Sequence, residues 1–166
     1  MNATSHFDLG AAAASGKRAA LTVRDRRFGR DGTGRRHWLD GDPVATAWFT
    51  SLSASFPRGE AMFIDAVKAH RDGVDEELGQ QIRDFIRQEV NHSREHLAFN
   101  RAAVDAGYDL AAIDARVASL VAMTQSLPPL VQLTITCALE HFTAMFAHEF
   151  LAMNAIQRPD QRHAGA

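Results

Sequence analysis

The chain has 166 residues, 46% hydrophobic and 23% charged, which suits one soluble globular domain with a single core. A net charge of −2 gives no electrostatic case for nucleic acid or an anionic membrane surface as partner. The lone cysteine, Cys137, excludes an internal disulfide framework and suits a reducing, cytoplasmic setting.

In chain order, residues 1–42 are expected to be poorly structured, a solvated segment that at most drapes over the domain. They are rich in Ala, Gly, Arg and Asp. The apolar run Ala11 to Ala14 is too short for a signal peptide, and Lys17 and Arg18 follow it instead of preceding it. Gly41, Asp42 and Pro43 mark the start of a domain over 43–166, and from there the text is helical, without a convincing period-2 segment. A short helix is predicted from Pro43 to about Ser53. The chain restarts at Ser53 or Ser55, with Pro57 in a first turn, and a second helix runs to about Ala69. Gly73 stops that helix. A long helix follows from about Asp75 to Ala106, with Gly107 as its terminator. A weaker amphipathic helix spans Asp109 to Ser126, and a last one runs from about Leu130 to Gln157. The longest uncharged run, Val117 to Leu139, is broken by Pro128 and Pro129; it reads as a turn leading into a buried helix, not as a membrane span.

Stepping along the long helix by fours and threes gives Leu78, Ile82, Phe85, Glu89, His92, His96, Phe99 and Ala103, one face whose ends are apolar and whose middle is ionisable. The same step gives Phe56, Glu60, Phe63, Val67 and His70 on the preceding helix. On the last helix it gives Leu133, Cys137, Glu140, Ala144, Ala147 and Leu151. Each helix thus carries a glutamate among its core positions. A lone buried carboxylate takes up a proton sooner than it stays charged, so three on three core faces call for a shared cation. Glu89 and His92 have the i, i+3 spacing of Glu-x-x-His, which lets both reach one ion. Cys137 is expected to be a small core residue, and His70 and His148 surface residues. His96 reads as a satisfied core histidine or a support to the ligands. A rival motif overlaps: His92-Ser-Arg-Glu95-His96 fits His-x-x-Glu-His, with both histidines on one zinc, Glu95 as general base and Glu140 or Glu149 as third ligand.

The segments RHWLDGDPVATAWFTSLSASFPRGEAMFIDAVK, FIRQEVNHSREHLAFN and ALEHFTA occur in that order. Together they resemble a bacterial family described as predicted metal-dependent hydrolases, over about Arg36 to Ala155. That family looks ferritin-like and is similar to the di-iron N-oxygenases that act on aryl amines. The resemblance implies an all-α, ferritin-like helical bundle. It implies that Glu60, Glu89, His92 and Glu140 bind metal directly, with His96 and His141 as further candidates inside the same motifs. The implied cofactor is a pair of divalent ions, Fe or Mn, with Zn as the alternative. The implied chemistry is hydrolytic or oxygenase, on a small organic substrate. Family members continue into another helix bearing a His and a second Glu-x-x-His. No second Glu-x-x-His follows Glu140 here, and Glu149 has no His three residues on. The bundle is therefore expected to be incomplete: a truncated relative, a fragment, or a chain that borrows a helix by self-association, a homo-oligomer then completing it. The competing expectation is a non-catalytic helical interaction protein with a degenerate metal site.

Overall fold

The computed structural model describes residues 21–28 and 35–157. It is all-helical, with no strand among the described residues. Four helices follow in order: α1 (Pro43–Lys68), α2 (Glu76–Asp105), α3 (Ala111–Gln125) and α4 (Pro129–Gln157). α1 is the central rod, and α2, α3 and α4 each pack against it.

Asp40 and Gly41 adopt left-handed backbone angles and reverse the chain. Asp42 then caps α1, its Oδ1 accepting from the Val44 and Ala45 amides at 2.8 and 3.0 Å, with Pro43 in the first position where no donor is needed. The predicted break at Ser53 to Pro57 does not occur, and α1 runs 26 residues straight through Pro57. A proline inside a helix leaves the carbonyl four residues back without its amide partner. Here that carbonyl belongs to Ser53, and the Asn100 side chain on α2 donates Nδ2–H to it at 3.2 Å. A tertiary contact supplies what the local sequence withholds, so the helix continues.

α2 matches the predicted span. Asp75 accepts from the Leu78 amide at 2.7 Å, and Glu76 and Glu77 face the positive end of the helix dipole. Gly107, at φ +91°, closes it. The outer side of α2 carries residues 21–28: the Arg24 amide donates to Gln88 Oε1 at 2.7 Å, and Arg94 Nη2 donates to Asp25 at 2.6 Å. α3 is tied to α1 by the two-pronged Arg58–Asp114 pair at 2.6 and 2.8 Å. Both partners are half exposed, so the pair fixes orientation more than it adds stability. The buried apolar core is small and lies along α1 and α2: Ala54, Met62, Phe63, Ala66 and Ala103.

α4 departs from expectation. It was predicted to be a buried helix with Cys137 in the core. Instead Cys137 is exposed, as are Leu130, Phe142, Met145 and Phe146. The inward set includes Glu140 and Ala147, as expected, but Thr136 and Thr143 stand in place of the expected Cys137 and Ala144. The cause is the aromatic surface α1 offers. Trp48, Phe49, Leu52 and Phe56 face α4, and α4 turns Phe142, Phe146 and Phe150 towards them. Pro129–Phe150 is long and apolar enough to cross a membrane by length and composition, with a mean hydropathy of 1.3 and only 6% of it buried.

Candidate metal centre

The site lies where α2 and α4 meet the middle of α1. Glu60 sits on α1 with 1% of its surface exposed, and Glu89 on α2 with 4%. These are the most buried acidic groups described. Helical spacing brings Glu89 and His92 onto one turn, and the α1–α2 packing brings both against Glu60. His92 Nδ1 lies 3.8 Å from Glu60 Oε1 and 3.9 Å from Glu89 Oε1. One ligand atom from each of the three residues falls within 4.8 Å of the others.

The two oxygens of Glu60 differ. Oε2 accepts from the Ser93 hydroxyl at 2.6 Å. Oε1 is buried and has no hydrogen-bond partner among the described residues. Facing it are two imidazole nitrogens, His92 Nδ1 at 3.8 Å and His96 Nε2 at 3.9 Å, both too far to hydrogen-bond.

The protonation of His96 follows from its neighbours. The Ser53 hydroxyl donates its one hydrogen to Asn100 Oδ1 at 2.8 Å, and Asn100 Nδ2 is committed to the Ser53 carbonyl. At 2.9 Å from His96 Nδ1, Ser53 Oγ must therefore accept, so the ring hydrogen is on Nδ1. Nε2 is left with its lone pair, turned towards the unpartnered carboxylate oxygen. Phe56 stacks on the same ring, with centroids 4.4 Å apart and planes 7° from parallel, and holds its tilt. A lone pair facing a carboxylate oxygen across that gap is repulsive unless a cation stands between them. Oxygen and imidazole donors together suit a divalent ion of the Mn, Fe or Zn type.

The electrostatics agree. Burial pushes the Glu60 carboxyl up to about 7, with Ser93 opposing and the charge of Glu140 adding to the rise. Burial pushes Glu89 up to about 8, reinforced by Glu140 and Glu60. Burial, and then His92, lowers His96 to about 4; burial lowers His92 as well. The site thus resists both carboxylate charge and imidazolium charge: without a metal its glutamates favour the protonated form, and a divalent cation is what would let them ionise beside neutral imidazoles.

Glu140 on α4 is half-buried and close enough for its charge to raise both other glutamates, while burial raises its own pKa. His141 is not brought to the group: it is exposed, with its ring edge against Phe142 at 5.8 Å. His148 and Glu149 are also exposed, and His70, in the turn after α1, bonds the Ala66 carbonyl through Nδ1 at 3.0 Å. Glu95 is turned away to the outer side of α2. Its carboxylate accepts from Arg94 Nε at 2.9 Å and from the Phe28 amide at 3.0 Å, which places the general base of the His-x-x-Glu-His alternative on the wrong side of the helix. Sequence reasoning missed Ser53, Ser93 and Asn100. The signal was present: Ser53 lies seven residues before Glu60, and Asn100 four after His96, so each extends the polar stripe along its own helix.

No curated protein and no solved structure matches the chain. The model of one family does, over residues 22–165, nearly the whole length, with Glu60, Glu89, His92 and Glu140 inside the match. The group of buried Glu60 and Glu89 with exposed His92 is the kind of feature that the family's description calls for, and the chain belongs to the predicted metal-dependent hydrolases.

Proposed function

We propose that the chain is a hydrolase whose Glu60, Glu89, His92 and Glu140, joined by His96 Nε2, hold two divalent ions, Fe or Mn, in a ferritin-like carboxylate and imidazole arrangement. The observation that carries this is Glu60 Oε1, a buried carboxylate oxygen without a hydrogen bond and faced by two imidazole nitrogens. Family membership supports hydrolysis, of an ester or amide of small size, over other metal chemistry. A divalent pair in such a site supplies Lewis acidity and lowers the pKa of a water. The residues of the chain do the rest. Glu60 and Glu89 give up their raised-pKa protons on loading. Ser93 fixes the rotation of the Glu60 carboxylate. Ser53 and Asn100 fix the tautomer of His96. His92, whose side chain is 56% exposed, gives the group its contact with solvent.

The test is metal analysis of the purified protein. Two Mn or Fe per chain are expected, and Glu89→Ala is expected to lose tight binding of both. A protein that keeps its metal in that variant would not use the proposed ligands. One zinc, lost on replacing His96 but retained without Glu60, would assign the His-x-x-Glu-His alternative instead. Oxygen uptake on adding Fe(II) would move the chemistry from hydrolysis to oxygenation.

A further inference from the structure

An apolar groove of about 440 Å³ runs between α1 and α4, and the metal-centre reading does not use it. Its α1 wall is Trp48, Leu52 and Phe56; its α4 wall is Phe142, Phe146 and Ala147. Two contacts fix its ends. Phe56 lines the groove and also stacks on His96, so one end lies one ring away from His96. At the other end Phe49 of α1 meets Phe150 of α4 with ring centroids 4.8 Å apart. The helices are antiparallel here, and both stripes count back to a glutamate: Phe49, Leu52, Phe56, Glu60 on α1, and Phe150, Ala147, Thr143, Glu140 on α4. Thr143, on the groove wall, donates its hydroxyl to the Leu139 carbonyl of its own helix, so it presents no free donor.

From this register we infer that the groove binds a linear acyl chain of the substrate, methyl end against Phe49 and Phe150, carbonyl end at Glu60 and Glu140. The inference rests on the hydrolase reading and names the substrate class for it: a medium-chain carboxylic ester or amide. Eleven residues of helix separate Phe49 from Glu60, which at the helical rise is about 16 Å. An extended chain of about 12 carbons covers that length. The volume falls in the range of about 300–1,000 Å³ typical of small-molecule sites. The groove runs from the Phe49–Phe150 pair towards the turns that carry Glu60 and Glu140, and that fixed span is what would sort ligands by length.

The probe is sodium laurate added to the full-length, Mn(II)-loaded protein, read by Trp48 fluorescence with Trp48→Phe as the control for Trp38, and by calorimetry. Saturable one-to-one binding is expected. Affinity should rise from butyrate through octanoate to laurate and level off beyond it. Ala147→Phe fills the groove from a helix position with room to spare; it is expected to weaken laurate at least tenfold while metal content stays at the wild-type value. Equal affinity for octanoate and laurate, or laurate binding unchanged by Ala147→Phe, would overturn the assignment. So would a dimer whose formation shields the groove residues and which laurate cannot dissociate, since a second copy would then be the occupant. The two readings fail separately. Laurate bound in the slot by a protein that takes up no metal sinks the hydrolase and keeps the groove; full metal content without laurate binding sinks only the groove.

Discussion

Glu60 and Glu89 set the pH behaviour of the metal-free protein. Their folded pKa values, about 7 and about 8, lie above the ordinary 4.5. A group shifted that way contributes stability that is fully present below its unfolded pKa and is lost as the pH rises through its folded one. His92 and His96 are shifted down from 6.5, so they act in the opposite sense, losing stability as the pH falls below 6.5. The two effects oppose each other between 4.5 and 6.5, and above 6.5 the carboxyls act alone. In chelator, the thermal midpoint is therefore expected to drop by roughly 5 °C or more between about pH 6.5 and 8.5. Glu89→Gln should flatten most of that slope, and excess Mn(II) should abolish it in the wild type. A midpoint that climbs over the same interval would contradict the burial of both groups. These two residues were legible in the sequence because an ionisable group on an apolar stripe is conspicuous. Ser93 was not, because a serine is unremarkable on any helix face, and only the approach of α1 gives it Glu60 to bond.

At the scale of elements, local rules recovered α2 well and α1 poorly. Asp75 and Gly107 are strong local signals at the two ends of α2, and nothing between them competes. Pro57 is an equally strong local signal for a break, but it was overruled by Asn100, forty-three residues further on. That override makes a prediction. Asn100→Ala removes the donor to the Ser53 carbonyl and one of the groups orienting Ser53, and is expected to cost about 1–3 kcal/mol in chemical denaturation. Pro57→Ala restores a backbone donor within α1, so the double variant should recover part of that loss. Strict additivity of the two changes would show that Asn100 does not stand in for the missing amide. The inward face of α4 departs from the expected one at Cys137 and Ala144 for a related reason. Its sequence is apolar nearly all round, so periodicity does not choose a face; the aromatic wall of α1 does.

For the molecule as a whole, the family and the all-helical class were readable because three separated motifs occur in order on a helical background. What could not be read was how the helices share the burden of burial. α1 and α2 enclose what core there is, while α4 leans on α1 with Leu130, Val131, Met145 and Cys137 facing outward. The Glu60, Glu89 and His92 group therefore sits on the firmly packed pair, while Glu140 approaches it from the loosely held rod.

On the proposed ligand set, that unequal anchoring would make the fourth helix a jaw and an ion its clasp. Whatever binds Glu60, Glu89 and Glu140 together tethers α4 to the rest of the chain. Amide hydrogen exchange should then slow selectively between Thr136 and Ala147 on adding Mn(II), with the central stretch of α1 changing little. Protection spread evenly along all four helices would mean that the ion merely adds to global stability instead of closing one rod upon another.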